Sequence, residues 1–173
     1  PAYNCEKYVE EAIKSILCQT YSNFELLIAD DASTDGTKEI INCIFDPRIS
    51  RLHNTINLGK TATVANLFKH AVGDLVTIHD ADDCSLPVRF ERQVKEFKKN
   101  PGLGMGGTSY VSVAEDGIEI LETVNKTSEY PEILVDLVNA PQFHGPTMMV
   151  KMPILDELEE IYRPYFENNY EDT

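Results

Sequence analysis

The amino-acid sequence predicts an α/β fold, with a mostly parallel central sheet and helices on both of its faces. Short apolar runs typical of buried strands alternate with amphipathic segments typical of helices, and this alternation is the pattern of parallel sheets. Of the 173 residues, 42% are apolar and 25% are charged, which is the composition of a globular protein. A chain of this length forms one domain by default and can bury a sizeable core.

The first hundred residues carry most of the alternation. A helix is predicted over about Glu6–Gln19, because one of its faces is an apolar stripe. The stripe consists of Val9, Ala12, Ile13, Ile16 and Leu17. A short apolar run bounded by a polar turn then predicts a strand over Phe24–Ala29. The elements predicted next are, in order, a helix at Thr37–Phe45, a strand at Ile49–His53, a helix at Thr61–His70, a strand at Asp74–His79 and a helix from Pro87 to about Lys99.

The two ends of the chain are less regular. The opening PAYN leads at once into a helix, as a loop after a strand does, so we expect an apolar strand before Pro1 and a chain that is a fragment of a longer polypeptide. The elements predicted after residue 100 are strands at Met105–Val113 and Ile118–Thr123 around a turn at Asp116–Gly117, a helix near Tyr130–Asn139, an apolar segment at Thr147–Met152 and an acidic helix near Leu155–Tyr162.

The net charge of −14 limits the partners of the protein. Nucleic acids and anionic membrane surfaces are polyanions, so this charge disfavours both. No apolar run approaches the roughly 18 residues that span a bilayer, so no transmembrane segment is expected in this chain. The cysteines are scattered without metal-ligand spacing, which disfavours a zinc site, and Cys18 is expected to be a small core residue. We therefore expect a reduced, cytoplasmic protein.

The stretch LLIADDASTDGT matches the start of a calcium-binding loop. Asp31, Ser33, Asp35 and Gly36 fit the first six positions of an EF-hand if Ser33 is accepted at the third. An EF-hand also needs a preceding helix and a bidentate Glu at position twelve, where this chain has a strand-like run and Asn42. Calcium is therefore disfavoured. The carboxylates follow the end of a strand, which is where open α/β sheets bind ligands.

A second group of carboxylates, in VTIHDADDCSLP, follows another predicted strand. Asp80, Asp82 and Asp83 repel one another there, at a cost of up to ~4 kcal/mol for each like pair ~4 Å apart. The D-x-D spacing allows Asp80 and Asp82 to converge on one hard divalent cation, which would let an acidic protein accept a diphosphate. The alternative is an Asp-rich turn that caps the next helix, and Asp83 fits either a second ligand or a cap.

Five segments of the chain, in order, resemble those of the family 2 glycosyltransferases, which are nucleotide-sugar enzymes with the GT-A fold. The segments are PAYNCEKYVEEAIKSILCQTYSNFELLIADDASTDGT, NLGK, GDLVTIHDADDCSLPVRF, HGPTMMV and YEDT. The resemblance implies a single catalytic domain over residues 1–173, with a Rossmann-like nucleotide-sugar-binding half at 1–100 and an acceptor-side half at 101–173. It also implies inverting transfer of a sugar, from a UDP-sugar, to a saccharide or lipid-linked acceptor in polysaccharide or cell-envelope biosynthesis, with Mn²⁺ or Mg²⁺ as cofactor.

The resemblance also assigns roles to single residues. It implies that Asp31 accepts the imide N–H of uracil, that Tyr3 packs on the base and that Asp172 is the general base. Lys60 would point its ammonium at the diphosphate. The implied donor-binding residues are Pro1, Ala2, Tyr3, Asn4, Asp31, Lys60, Asp80 and Ala81, and the implied metal ligands are Asp80 and Asp82.

Two departures from the family pattern bear on these roles. Val64 stands where many relatives have an Arg, so a donor contact made by that Arg is absent or supplied elsewhere. Ala32 stands where they have a Gly, which is a mild change if the backbone φ there is negative.

Two alternatives from other protein classes remain. One is a nucleotidyltransferase, although PAYNCEK lacks the glycines of its phosphate loop. The other is a non-catalytic module that binds nucleotide-sugars or calcium. The cytoplasmic face of the membrane is a further expected location, through regions outside this chain.

Overall fold

The computed structural model describes residues 1–114, the backbone of 119–123, and residues 145–154. The chain divides into two compact units, one formed by Pro1–Gly73 and His79–Lys99 and the other by Asp74–Ile78 and Asn100–Thr173. The predicted division into a donor half and an acceptor half at residue 100 concerns function and stays a prediction. The helices predicted at 130–139 and 155–162 and the turn at 116–117 lie outside the described residues.

The first unit contains a parallel strand pair and four helices. Its elements are α1 (Val9–Leu17), β1 (Leu26–Asp30), α2 (Thr37–Cys43), β2 (Ile49–His53), α3 (Lys60–Phe68) and α4 (Arg89–Lys99). β1 and β2 run parallel in a register from Leu26 opposite Ile49 to Asp30 opposite His53. Both α2 and α3 contact β1, and α1 contacts α2. The α/β class and the parallel pairing predicted from the sequence are therefore confirmed.

Ala2 extends this sheet on the edge of β1 that faces away from β2. Its N–H donates to the carbonyl oxygen of Ala29 at 2.7 Å, and its carbonyl oxygen accepts from the N–H of Asp31 at 2.8 Å. The bridge between Ala2 and Asp30 is parallel. Residues 1–4 therefore leave the sheet beside the end of β1, next to the Asp-rich loop. The strand expected before Pro1 stays a prediction.

The core of the first unit forms where α1 and α2 meet the sheet. One cluster of buried side chains joins them, and it consists of Ala2, Val9, Ile13, Ile28 and Ile41. Burying one such aliphatic side chain stabilises the fold by roughly 1.5–3 kcal/mol. The apolar stripe predicted for α1 is confirmed, since it supplies the helix's buried residues. α1 begins later than predicted because the N–H groups of Tyr8 and Val9 both turn back to the carbonyl oxygen of Cys5.

The prediction that Cys18 lies in the core is wrong. Cys18 follows the last residue of α1 and is exposed. The sequence pattern misplaced Cys18 because α1 ends at Leu17, and the apolar face of the helix ends there too.

The described part of the second unit contains short strands that pair antiparallel. They are β3 (Leu75–Thr77), β4 (Met105–Gly106), β5 (Tyr110–Val113), β6 (Glu119–Thr123) and β7 (Met149–Lys151), with a 3₁₀ turn at Gly145–Thr147. One sheet has the order β3-β7-β4, and β5 and β6 form a separate pair. The single strand predicted over Met105–Val113 is wrong. It breaks at residues 107–109, beside two glycines that contribute little to strand packing.

Within the residues that the structure describes, no helix is both long enough and apolar enough to cross a membrane.

Candidate active site

The loop that follows β1 is joined to the first residues of the chain by hydrogen bonds. The N–H of Asn4 donates to Ser33 Oγ at 3.1 Å, and the N–H of Thr34 donates to Asn4 Oδ1 at 2.8 Å. Asn4 has a φ of 48°, which Asn tolerates better than most residues. The two segments therefore hold each other in place at the end of the sheet.

Asp35 and Glu6 strengthen the same junction. Asp35 accepts from the N–H of Glu6 at 3.1 Å and from the N–H of Thr37 at 3.0 Å, and Glu6 accepts from the N–H of Gly36 at 2.7 Å. Burial tends to raise the pKa of Asp35, but these donors outweigh it, so the pKa is lowered. Asp35, one of the carboxylates that resemble a calcium loop, thus has its partners at Glu6 and Thr37.

Ala32 lies in the left-handed region, with a φ of 60°. The condition under which the change from Gly to Ala would be mild, a negative φ, is therefore not met. The backbone bends at this residue, directly after Asp31. A residue other than Gly, Asn or Asp is strained in this region by roughly 1–2 kcal/mol.

Asp31 is buried, with 3% of its surface exposed, and it anchors the loop that precedes α3. Its Oδ1 accepts from Asn54 Nδ2 at 2.7 Å and from the N–H of Leu58 at 3.0 Å, and its Oδ2 accepts from the N–H of Gly59 at 2.9 Å. Burial works to raise the pKa of Asp31, but the donors together outweigh it and lower the pKa. Asp31 is therefore ionised at neutral pH.

Asn54 and Thr63 complete this network, and the sequence did not reveal either of them. Asn54 Nδ2 also donates to Thr63 Oγ1 at 3.0 Å, and Thr63 is fully buried. Gly59 begins α3 with a φ of 80°, a conformation that glycine adopts without strain. The network fixes residues 54–59 against the end of β1, and so it sets the position of the next residue, Lys60.

Lys60 forms an ion pair with Asp80, the first acid of the D-x-D motif. Its Nζ donates a hydrogen bond to Asp80 Oδ2 at 2.8 Å and lies 2.6 Å from Oδ1. Oδ1 is buried, and despite the nearby ammonium it accepts no hydrogen bond in proper geometry from the part of the chain that the structure describes. The Lys60 ammonium is therefore the counter-ion of this carboxylate, and a divalent cation that binds Asp80 would have to displace it or share the carboxylate with it.

The carboxylates present fit a hard divalent cation with few protein ligands. In residues 1–114 and 145–154, no group of three or more His, Cys, Asp or Glu side chains is arranged to hold a metal ion. Asp80 and the exposed Asp82 are the described candidates. Mg²⁺ is commonly held by one or two carboxylates, with water and substrate phosphates at its remaining positions. The donor set therefore suits a cation that arrives with a diphosphate.

His79 fixes the backbone at the start of the D-x-D motif, a role that the sequence did not indicate. Its Nδ1 lies 2.8 Å from the carbonyl oxygen of Asp80. Burial lowers the pKa of His79 to about 4, so the ring is neutral at pH 7. Because a carbonyl oxygen only accepts, we assign the ring proton to Nδ1.

Several of the predicted donor-binding residues lie together in the first unit. Pro1 lies within electrostatic reach of Asp80, Lys60 and Asp31. Ala81 packs against the cluster that contains Ala2. Pro1 therefore lies among the acids and the lysine predicted to hold the donor.

The other predicted site residues are more exposed or undescribed. Tyr3 is 48% exposed and Asn4 is exposed, as residues that face a ligand can be. The N–H of Asp83 donates to the carbonyl oxygen of Asp80 at 3.2 Å, which makes the motif a tight turn. Asp172 lies outside the described residues, so its role as general base stays a prediction.

Solved structures share this fold. The chain matches Staphylococcus aureus TarS residues 1–349 in complex with UDP-GlcNAc at a TM-score of 0.71 and 21% identity, covering 92% of this chain and 46% of that one. It matches the mannosyltransferase PcManGT of Pyrobaculum calidifontis, in complex with GDP-Man and Mn²⁺, at a TM-score of 0.67 and 22% identity, covering 91% of this chain and 44% of that one. The fold is that of the GT-A glycosyltransferases.

Sequence relatives agree with the fold. EpsE of Bacillus subtilis (strain 168), a protein assigned as a glycosyltransferase, is 37% identical over 85% of this chain and 53% of its own length. WfgD of Escherichia coli, named as a UDP-Glc:α-D-GlcNAc-diphosphoundecaprenol β-1,3-glucosyltransferase, is 35% identical over 58% of this chain and 40% of its own length. The chain therefore spans about half the length of these relatives. The sequence model of glycosyl transferase family 2 matches residues 1–159, and the chain belongs to that family.

Proposed function

We propose that this chain is the donor-binding part of an inverting glycosyltransferase that needs a divalent cation. The observation that carries the proposal is the ion pair between Asp80, the first acid of the D-x-D motif, and the Lys60 ammonium, whose Nζ lies 2.6 Å from Asp80 Oδ1. Together with Asp82 this pair offers two carboxylates and one cationic side chain to a diphosphate and its metal ion. Family membership and the presence of Mn²⁺ in PcManGT support the same reading.

The donor that we propose is a UDP-sugar. The name of WfgD includes UDP-Glc, and TarS was solved with UDP-GlcNAc, whereas PcManGT was solved with GDP-Man. We assign recognition of the uracil imide N–H to the Asp31 carboxylate, whose Oδ2 accepts from the N–H of Gly59 and whose Oδ1 accepts from Asn54 Nδ2 and from the N–H of Leu58. Tyr3 would pack on the base, and residues 1–4 with Ala81 would line the nucleotide.

The proposed reaction is a single displacement. A bound Mn²⁺ or Mg²⁺ supplies stabilisation of the charge that develops on the departing diphosphate. Asp80 and Asp82 would hold the ion, and Lys60 would exchange its contact with Asp80 for one with the phosphates. Asp172 would take the proton from the acceptor hydroxyl as that hydroxyl attacks the anomeric carbon from the opposite face.

The acceptor side of the proposal rests on residues 101–173, the predicted acceptor half. A saccharide or lipid-linked acceptor is proposed because the acceptor in the name of WfgD is a diphosphoundecaprenol-linked sugar. Such chemistry belongs to polysaccharide or cell-envelope biosynthesis at the cytoplasmic side of the membrane. The remaining parts of a longer protein would take part in acceptor binding, since this chain spans about half of its relatives.

The experiment that tests the proposal is ligand-dependent thermal stability. UDP at ~100 times its dissociation constant should add ~2.7 kcal/mol to the free energy of unfolding when Mn²⁺ is present. With EDTA in place of Mn²⁺ the gain should be much smaller, because the acids at residues 80–83 then face the diphosphate unneutralised. Asp82→Asn should lose most of the metal-dependent gain.

The matched control is Asp74→Asn, a substitution of the same kind at an exposed acid of the second unit. It should respond to UDP and Mn²⁺ as the wild type does. Equal stabilisation of the wild type by UDP with Mn²⁺ and with EDTA would show that Asp80 and Asp82 do not form a metal site.

A further inference from the structure

The turn that carries the D-x-D motif is followed by a segment, residues 85–91, that is fastened to the end of α1. The buried side chain of Gln19 is the centre of this attachment, with 6% of its surface exposed. Gln19 Nε2 donates to the carbonyl oxygen of Leu86 at 2.8 Å and to that of Ser15 at 3.2 Å. Gln19 Oε1 accepts from the N–H of Phe90 at 3.0 Å. The amide thus uses its donors and its acceptor at once.

Ser15, on α1, and Thr20, which follows Gln19, contact the same segment. The N–H of Thr20 donates to the carbonyl oxygen of Pro87 at 2.8 Å, and Thr20 Oγ1 donates to Glu91 Oε2 at 2.8 Å. Ser15 Oγ accepts from the N–H of Ser85 at 3.1 Å. These residues are about 70 positions apart in the chain, so the attachment is tertiary. Of these contacts, only those of Gln19 are made by a buried side chain that bonds two separate backbone groups of the segment.

The attachment matters because it is one of the contacts that hold the D-x-D segment, together with the Lys60–Asp80 ion pair and the packing of Ala81 against the core. At its start the backbone is held by His79, through the bond to the carbonyl oxygen of Asp80 at 2.8 Å. At its end the backbone is held at Ser85. Asp82, between them, is exposed, and its carboxylate has no hydrogen bond or ion pair with any residue that the structure describes. The backbone on its two sides therefore sets where this carboxylate lies.

We propose that Gln19 is a positioning residue for the metal site, acting through the backbone of residues 81–90. This role rests on the proposed function, because it assumes that Asp80 and Asp82 share a cation. A glutamine suits the position because it donates to one backbone carbonyl and accepts from one backbone N–H. Glutamate keeps the acceptor but places a carboxylate against the carbonyl oxygens of Ser15 and Leu86. Methionine keeps the length and loses every hydrogen bond.

The first measurement follows hydrogen exchange in the protein without ligand. In Gln19→Met, the amides of residues 81–90 should exchange at least ~10-fold faster, while those of β1 keep the wild-type rate, since local opening of one segment leaves other bonds closed. Gln19→Glu should also exchange faster than the wild type there, because its carboxylate faces two carbonyl oxygens without a donor. Unchanged exchange at residues 81–90 in Gln19→Met would overturn the proposal.

The second measurement is the Mn²⁺ concentration that half-saturates the metal-dependent stabilisation at saturating UDP. Gln19→Met should raise this midpoint about tenfold, whereas Ile13→Val, a core change in α1 that leaves residues 85–91 untouched, should keep the wild-type midpoint. An unchanged midpoint in Gln19→Met, with faster exchange, would show that Gln19 serves stability alone and would overturn the proposal. A wild type without any metal-dependent binding would instead overturn the proposed function, and the positioning role with it.

Discussion

Ala32 holds a backbone conformation that its side chain disfavours, and this makes its effect on stability predictable. At a φ of 60°, the methyl side chain of alanine lowers the free energy of unfolding by roughly 1–2 kcal/mol, a cost that glycine does not have. Glycine in turn loses about 0.5–1 kcal/mol through the greater freedom of the unfolded chain. Ala32→Gly should therefore raise the free energy of unfolding by up to ~1 kcal/mol, as measured by urea denaturation.

The control for this prediction is Gly59→Ala, where the signs reverse. Gly59 has a φ of 80°, and an added Cβ would meet no atom within 4 Å, so only the backbone conformation opposes the change. This variant should lose more than ~1 kcal/mol of stability. A loss of stability in Ala32→Gly would mean that the strain at residue 32 is absent.

Asp31 predicts a pH dependence of stability. Its folded-state pKa lies below the ordinary value of 3.8, so its contribution to stability is present above that value and is lost as the pH falls through the folded pKa. At pH 7 we expect Asp31→Asn to be less stable than the wild type by ~2 kcal/mol, since bonds to a charged group are lost. At pH 3 and below, the difference should shrink.

The measurement for Asp31 is urea denaturation of both proteins across this pH range. Comparing the two removes the contributions of other acids, which titrate in both. A difference that stays constant from pH 7 to pH 2 would show that the folded carboxyl does not have a lowered pKa.

The sequence predicted Asp31 as a site residue but not its partners. A strand-end acid is visible in a local pattern, because the strand is read from apolar residues beside it. Its donors lie 23 to 28 positions further along the chain, and two of them are backbone N–H groups, for which the side-chain pattern gives no signal. The positive φ of Ala32 was not predicted for a similar reason, since it depends on the path of the backbone after β1.

At the scale of elements, amphipathic periodicity predicted helices well and short strands poorly. The stripe on α1 was predicted because its apolar face is buried in the unit, and β1 was predicted because its apolar run is buried toward its end. β4 and β5 were merged into one strand because the break between them spans only Gly107, Thr108 and Ser109, with apolar residues on both sides. Pairing decides where such strands end, and β4 pairs only with β7, far along the chain.

The loop before α3 carries an element-scale prediction. Asn54→Ala removes the bonds to Asp31 and Thr63 and leaves Thr63, which is fully buried, with one partner fewer. We expect a loss of ~1–3 kcal/mol in stability. We also expect weaker UDP binding, because the loop that positions Lys60 loses an anchor.

Asn23→Ala is the matched control for Asn54→Ala, since Asn23 is an exposed loop residue outside this network. It should change neither stability nor UDP affinity measurably. Calorimetric titration with UDP and Mn²⁺ compares the variants, and wild-type affinity in Asn54→Ala would separate the loop from donor binding.

At the scale of the whole protein, the division of labour between donor and acceptor residues is testable in a full-length enzyme. Asp172→Asn keeps the shape of the side chain and removes the proposed base, so turnover should fall by ~10²–10⁴. Donor affinity should barely change, because Asp31, Asp80 and Asp82 lie apart from it in the chain and hold the nucleotide in our proposal. Asp82→Ala should instead weaken donor binding.

Paired measurements of UDP affinity and transfer rate decide this prediction. Transfer at the wild-type rate in Asp172→Asn would place the base elsewhere, with Glu171 or Glu167 as the next candidates. Loss of UDP binding in the same variant would make Asp172 a donor or metal ligand.

The overall architecture was predictable because the resemblance extends over nearly the whole chain, and the match to the family over residues 1–159 confirms it. The two compact units were not predicted. β3 belongs to one unit, and the D-x-D motif that directly follows it belongs to the other. The order of strands, loops and helices along the sequence therefore does not show where one unit ends and the other begins.

The ion pair between Lys60 and Asp80 has a consequence for the order in which ligands arrive. With the Lys60 Nζ only 2.6 Å from Oδ1, a divalent ion reaching this carboxylate replaces an ammonium instead of filling a vacant anionic site. The exchange is unfavourable while the displaced ammonium has no new counter-ion, and a diphosphate supplies one. Metal ion and nucleotide should therefore bind with positive cooperativity, each raising the affinity of the other, and either alone should bind weakly.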